Sequence, residues 1–179
     1  MSQLDADDAD DAFAAIRLAN PAGLGKVETG DVTENADDHT GHRLTLIEAM
    51  HLARDRDRIA NAYVTAYTDI FDFALPILDT ARLTTDRDDL AISTLHMALL
   101  AEFPDSHIAR KWGPETAGAV CQEARALRPV WSPTVTANTL KTLLDFDANL
   151  KSRGLNPGTT ADFVVATLFT AQMSRQKFQ

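Results

Sequence analysis

The sequence predicts an all-α fold, a single-domain bundle of about seven helices that covers residues 1–179. From Leu44 onward, apolar residues recur at spacings of three and four along most of the chain, which is the period of an amphipathic helix. No segment alternates apolar and polar residues as a half-buried strand would. Proline and glycine residues fall between the periodic segments, where helices end. A length of 179 residues suits one domain with a sizeable core.

The first predicted helix contains Phe13, Ile16 and Leu18, and a run of aspartates precedes it. Acidic residues at that end stabilise the positive pole of a helix, and Pro21 stops it. The following stretch, 20–43, carries glycines and acidic residues without any periodicity. Segments of this length are usually functional or disordered, so we predict a long loop and look there first for chemistry.

The helical periodicity of 44–77 predicts one or two long helices. Pro76 is expected to kink or restart the second of them. A loop is expected at 128–133. Further helices, each bounded by a cap, a proline or a glycine, are predicted over 86–103, 106–112, 114–127 and 140–150.

The last helix is predicted to begin at Thr159 or Thr160 and to be buried all round, because 163–169 is strongly apolar. Its β-branched residues would also suit a strand. The polar cap before the segment and its length favour a helix.

The charge balance excludes a nucleic-acid surface, because 26 acidic residues face 17 basic ones and no basic stripe is visible. A few well-placed cations would still hold a small phosphorylated ligand. The single cysteine, Cys121, forms no internal disulfide, and no signal peptide or membrane span is recognisable. A cytoplasmic location is therefore predicted.

The turn Asn156–Asp162 leads from a rigid corner into the last helix. Free N–H groups and the positive dipole end of a helix bind anions, so this turn is predicted to belong to a nucleotide-handling site. In the alternative interpretation, Thr159 and Asp162 form a variant capping box and only start the helix.

Two adjacent cations, Arg110 and Lys111, lie on the short helix 106–112 in a chain poor in basic residues. Neighbouring residues diverge by about 100° around a helix, so one of them at most faces a given pocket easily. We favour Arg110, whose planar fork can bind a phosphate in bidentate fashion. Solvated charges at a helix end are the alternative.

Other polar residues give weaker signals. Asp31 in the long loop would place a carboxylate beside a ligand, although a loop aspartate more often organises its own turn. The spacing of the acidic and histidine residues over 37–42, with His51, matches no ordinary zinc arrangement, so no metal site is predicted there. Cys121 is expected to be a buried small residue and not a nucleophile.

Four segments stand out in a fixed order along the chain: Ala15–Val27, Leu46–Arg58, Phe103–Lys111 and Asn156–Asp162. Taken together, they resemble the triphosphoribosyl-dephospho-CoA synthase family, in which the segments follow the same order. The resemblance covers about 13 to 175.

The resemblance implies an all-helical pentosyltransferase. A hydroxyl on the ribose of dephospho-CoA would displace adenine from ATP, which gives the precursor of a prosthetic group of acyl-carrier subunits. ATP is thus a substrate, with Mg²⁺ bridging its phosphates. The resemblance implies roles in binding the nucleotide for Arg110, Lys111, Asn156, Gly158, Thr159 and Thr160. It makes Asp31 and Asp162 the candidates for acid–base or metal-holding roles.

The sequence departs from the family pattern because the Lys-Pro-Gly-Asn-Val and Gly-Thr-Asn-Thr runs of longer members are missing. The chain is therefore expected to correspond to the C-terminal major part of the family. Apolar surface left exposed would favour a homo-oligomer or a complementing N-terminal chain. Two alternative functions stay open: a non-catalytic helical protein that binds a nucleotide or CoA, and a related transferase with a different acceptor.

Overall fold

The structure is a computed structural model, and it describes residues 4–19 and 42–176. The chain divides into two compact units, Met1–Tyr67 and Thr68–Gln179. Most of the predicted loop 20–43, including Asp31, lies outside the described residues. The prediction of a single domain stays a prediction.

The first unit contains α1 (Ala6–Ala19), α2 (Leu46–Ala53) and α3 (Arg58–Val64). Its small core joins Ala9 and Phe13 of α1 to Ala49 of α2. A capping box starts α2: the Thr45 side chain accepts from the N–H of Glu48, and the Glu48 carboxylate accepts from the N–H of Thr45 at 2.8 Å. The N–H and the hydroxyl of Thr45 both donate to this carboxylate, and they lower the pKa of Glu48.

The second unit opens with a π-helical segment, Asp69–Ala74, that runs directly into α4 (Leu75–Thr84). The helices after α4 are α5 (Asp88–Glu102), α6 (Ser106–Trp112), α7 (Pro114–Ala126), α8 (Arg128–Trp131), α9 (Leu140–Ser152) and α10 (Gly158–Gln176). The central helix is α5, nine of whose 15 residues are buried, and it packs against α4, α7 and α10.

The all-α class is confirmed, but the expected number of about seven helices is too low: the described residues form ten α-helices and one π-helical segment. The stretch 44–77 is divided by Ala66 and Tyr67, whose φ angles of 52° and 62° cannot continue a right-handed helix. The expected loop at 128–133 contains the short helix α8.

The last helix also differs from expectation. It begins at Gly158, before Thr159, and 163–169 is helical as favoured. It is not buried all round, because Val165 and Phe169 are each 66% exposed. None of the helices in the described part of the chain is both long and apolar enough to cross a membrane.

Candidate nucleotide site at the start of α10

The turn before α10 is built by a glycine-terminated helix. Gly154 adopts φ 71°, a left-handed conformation that ends α9. The N–H of Leu155 then bonds to the carbonyl of Leu150 at 2.9 Å, and the N–H of Gly154 bonds to that of Lys151 at 3.0 Å. This pair of bonds is a Schellman motif, and Leu155 is buried behind it. The chain therefore leaves α9 in a fixed direction and enters the predicted turn.

A single carboxylate caps two helices at this turn. Asp105 is the N-cap of α6, where one of its oxygens accepts from the N–H of Ile108 at 3.0 Å. Its other oxygen accepts from the N–H of Thr160 at 2.7 Å and from the Thr160 hydroxyl at 2.8 Å. Asp105 is only 1% exposed, so these bonds form in a water-poor environment where an ionised acceptor binds strongly. The starts of α6 and α10 are thereby joined.

The local capping interpretation of Thr159 and Asp162 is therefore wrong. Thr159 lies inside the helix, and the first helical bond runs from the N–H of Ala161 to the carbonyl of Pro157 at 3.1 Å. Proline at the cap position has no side-chain acceptor, so the free N–H of Thr160 is satisfied by Asp105 from another part of the sequence. Asp162 is exposed in the next turn.

His107 links α6 to the first residue of α10. A Cβ atom at position 158 would lie 3.3 Å from Cγ and Nδ1 of the His107 ring, so only glycine permits this packing without displacing the ring. The same Nδ1 atom of His107 lies 3.4 Å from Nη2 of Arg110. Because arginine can only donate, this contact requires Nδ1 to accept, which places the ring proton on Nε2. Nε2 is buried and has no hydrogen-bond partner among the described residues.

The structure thus brings together some of the predicted site residues. Arg110 is exposed and reaches the start of α10 through the His107 ring. Asn156 is exposed at the corner, whereas Thr159 is buried, with 5% of its surface accessible. Lys111 is exposed beside Arg110. Asp31 lies outside the described residues.

Three contributors to this region were not singled out from the sequence: Asp105, His107 and His96. Asp105 carries a recognisable signal, since an aspartate before a short helix is a common N-cap. His96 lies on the buried helix α5, where desolvation lowers its pKa while Asp105 and Asp147 oppose that shift. Nothing in the local sequence indicates which residues of other helices surround these three.

Two polar features stand apart from the site. Within the described ranges, no group of three or more histidine, cysteine or acidic residues could hold a metal ion. Cys121 is buried, and its thiol donates to the carbonyl of Ala101 at 3.2 Å, as expected of a packed residue.

Comparison with known proteins decides the family. The model of the family of ATP:dephospho-CoA triphosphoribosyl transferases matches residues 1–178. The chain belongs to this family. The match is longer than the 13–175 expected from the sequence, and it confirms the transferase function that the resemblance implied.

A solved structure supports the assignment of this transferase. A protein from Archaeoglobus fulgidus, described as a "putative triphosphoribosyl-dephospho-coA synthase", has a similar fold with a TM-score of 0.66 and 26% sequence identity. The similarity covers 96% of this chain and 67% of that one. Among curated proteins, none matches this sequence significantly.

Proposed function

We propose that this transferase binds the triphosphate of ATP beside the first turn of α10, with Arg110 as the principal cation and Lys111 adding charge. The observation that carries the proposal is the contact series from Arg110 through His107 to Gly158, which sets a guanidinium beside a helix start. The positive pole of a 19-residue helix and an exposed guanidinium favour the same kind of ligand, an anion.

The site residues then divide into two groups. Asn156 offers its side-chain amide at the exposed corner, and Thr159 contributes a backbone N–H in the first turn. Gly158, whose N–H donates to the carbonyl of Asn156 at 2.9 Å, instead allows a close approach of the ligand to the backbone. Thr160 has a positioning role, because its N–H and hydroxyl are both bound to Asp105. Asp105 holds α6 against α10 and so fixes the distance between Arg110 and the turn.

The transfer itself exchanges one bond for another. A ribose hydroxyl of dephospho-CoA attacks the anomeric carbon of the ATP ribose, and the bond from that carbon to adenine breaks. The hydroxyl proton is removed by a base, and adenine leaves with a proton supplied by an acid. The product carries the triphosphoribosyl group and is a prosthetic-group precursor. Asp162 is our candidate base because its carboxylate is exposed one turn into α10. Asp31 keeps the acid–base role predicted from the sequence.

Mg²⁺ fits this scheme as a companion of ATP and not as a resident ion. Because the described residues supply no cluster of three or more protein ligands, phosphate oxygens would be its main ligands, as is usual for Mg²⁺ with nucleotides. In the alternative assignment of roles, Asp31 is the base and Asp162 adds a protein contact to the ion. Bound Mg²⁺ would neutralise triphosphate charge.

Release of free adenine from ATP tests the proposal directly. We expect release that depends on dephospho-CoA and that yields one triphosphoribosylated product per adenine. Binding of ATP without any release would instead indicate a non-catalytic nucleotide-binding protein. Release that requires another hydroxyl-bearing acceptor would retain the transferase chemistry and change the substrate.

A further inference from the structure

A groove of about 380 Å³ opens on the second unit, and none of the residues assigned to the nucleotide site lines it. Its walls come from the π-helical segment, α4, the C-terminal half of α5, and the stretch 125–133. Apolar side chains form much of the lining, among them Phe73, Ile77, Ala98 and Trp131. This volume and this apolar lining with a few polar groups are typical of small-molecule pockets.

Arg125 is a rigid part of the groove wall. Its Nε and Nη2 donate to the carbonyl of Ala101 at 3.1 and 2.9 Å, near the C-terminal end of α5. Nη2 also lies 3.8 Å from the sulfur of Cys121. A guanidinium has five N–H donors, and Nη1 of Arg125 donates to no other group in the described residues. The Arg125 fork is therefore held in one orientation with donors to spare.

Arg128 adds a second guanidinium to the same wall. It is exposed, and within 4–19 and 42–176 it forms no ion pair with a carboxylate. One acidic residue, Glu102, also lines the groove. The two arginines therefore leave a net positive charge on this wall. An apolar groove with such a wall suits a ligand that has an apolar arm and an anionic end.

The groove also lies near the proposed nucleotide site. Glu102 lines the groove, and Asp105, which caps α6 and α10, follows three residues later. Consecutive Cα atoms are about 3.8 Å apart, so these two Cα atoms are separated by at most about 11 Å. A single extended substrate molecule can therefore contact both the groove and the start of α10.

We infer that this groove binds the phosphopantetheine half of dephospho-CoA, with the pantetheine arm against Phe73, Ile77 and Trp131 and its phosphate at Arg125 and Arg128. This inference rests on the proposed function, in which dephospho-CoA is the acceptor. The arm has an apolar dimethyl group and a flexible chain, and its phosphate is anionic. The adenosine half would then extend toward the start of α10, where its ribose hydroxyl meets ATP.

Not every polar group that lines the groove is available to bind a ligand. The hydroxyl of Thr94 donates to the carbonyl of Leu90 and accepts from the N–H of Val135, both at 2.8 Å. The Thr94 hydroxyl therefore has little hydrogen-bonding capacity left for a ligand. The arginines are the groups that would give the groove its specificity for an anionic ligand. Thr80, which also lines the groove, is exposed on α4 and offers a position where a bulky side chain would obstruct it.

Tryptophan fluorescence provides a direct reading of the groove. The chain has two tryptophans: Trp131 lines the groove, whereas Trp112 is 53% exposed elsewhere. In a Trp112→Phe background, we expect dephospho-CoA and phosphopantetheine to change the emission of Trp131 with saturation, and ATP to change it little. A Trp131 signal that responds to ATP alone would overturn the inference, because the groove would then be a donor site.

Two variants test the proposed contacts in that background. Arg128→Ala should weaken dephospho-CoA binding by about tenfold through loss of a charge-assisted contact, and Thr80→Phe should weaken it by blocking the groove without adding a second tryptophan. ATP affinity should stay within twofold in both. The matched control is Arg87→Ala, which removes an exposed arginine that does not line the groove.

The results separate this inference from the proposed function. If the unmodified protein binds dephospho-CoA and releases adenine, but both variants bind it with unchanged affinity, the groove assignment is overturned and the transferase stands. If the protein shows no affinity for dephospho-CoA and releases no adenine, both are overturned. A selective loss of dephospho-CoA affinity in both variants supports the groove as the acceptor site.

Discussion

Thr160 donates its N–H and its hydroxyl to the same carboxylate oxygen of Asp105, at 2.7 and 2.8 Å. The other oxygen of that carboxylate caps α6 at Ile108. Residues 55 positions apart in the sequence thus share one buried ionic cap. A displacement of Asp105 would loosen both helix starts together, and Arg110 would lose its fixed position relative to the turn.

Removing the shared cap should destabilise the protein strongly. We expect Asp105→Ala to lower the free energy of unfolding by about 2–4 kcal/mol, since it leaves donors at two helix starts without an acceptor in a buried place. Asp105→Asn should restore only part of this, because its amide NH₂ would face a donor on one side. Denaturant unfolding measures both changes. A loss below about 0.5 kcal/mol for Asp105→Ala would contradict the shared cap.

A milder change isolates the Thr160 hydroxyl. Thr160→Val keeps the backbone N–H and the side-chain shape, so it should cost about 1 kcal/mol. Thr170→Val is the matched control, because the Thr170 hydroxyl bonds only to the carbonyl of Ala166 within α10. Equal losses in the two variants would show that the contact with Asp105 adds nothing.

The contact between Gly158 and His107 predicts that Gly158→Ala lowers stability when His107 is present and raises it when His107 is replaced by alanine. Gly158→Ala alone should destabilise the protein by about 0.5–1 kcal/mol, because the new methyl group would press on a ring whose Nε2 is already buried. In a His107→Ala background the same change should be stabilising by up to about 1 kcal/mol, since alanine favours helix over glycine. Thermal unfolding of the wild type, the two single variants and the double variant gives the complete double-mutant cycle. An identical effect in both backgrounds would exclude the steric contact.

Arg110 is the test of the nucleotide site. Because it is exposed, Arg110→Ala should leave the melting temperature nearly unchanged and weaken ATP binding by about tenfold or more. Lys111→Ala should have a smaller effect, because an ammonium group is a point charge and cannot bind a phosphate in bidentate fashion. Calorimetric titration with ATP gives both values. If ATP affinity is unchanged in Arg110→Ala, Arg110 does not bind the triphosphate.

The lowered pKa of His96 predicts how stability depends on pH. Burial favours the neutral ring in the folded protein, whereas the unfolded chain takes up a proton near the ordinary pKa of 6.5. Stability should therefore fall as the pH drops below about 6.5. The neighbouring carboxylates Asp105 and Asp147 reduce this effect without reversing it. His96→Gln should flatten the decline in melting temperature between pH 7.5 and 5.5.

The matched control is His51→Gln, which removes an exposed histidine of α2 instead of one on the buried helix α5. The lowered pKa values of Glu48 and Asp89 affect stability in a separate range. Their contribution is present above the unfolded pKa values and is lost only in more acidic solution. A flattened profile in His51→Gln, or an unaltered one in His96→Gln, would assign the effect to other groups.

Local sequence signals predicted the helices well where a cap and a stop flank an apolar period. The short helix after Asp105 ends at Gly113 as expected, and α9 ends before Gly154. Prediction failed at Ala66 and Tyr67, whose left-handed conformations are set by surroundings and not by residue type. It failed also for Val165 and Phe169, because an apolar composition does not reveal which helix face finds a partner.

The sequence by itself determined the all-α class, most helix boundaries, the family resemblance and the turn at Asn156–Asp162. These features depend on neighbours within a few residues or on sequence motifs of the family. Only the tertiary structure decided that Asp105 caps Thr160 and that His107 lies against Gly158. These contacts join distant segments, and their residues carry no local sign of the partner. The turn is therefore a helix start capped from another helix, and Arg110 reaches it through the His107 ring.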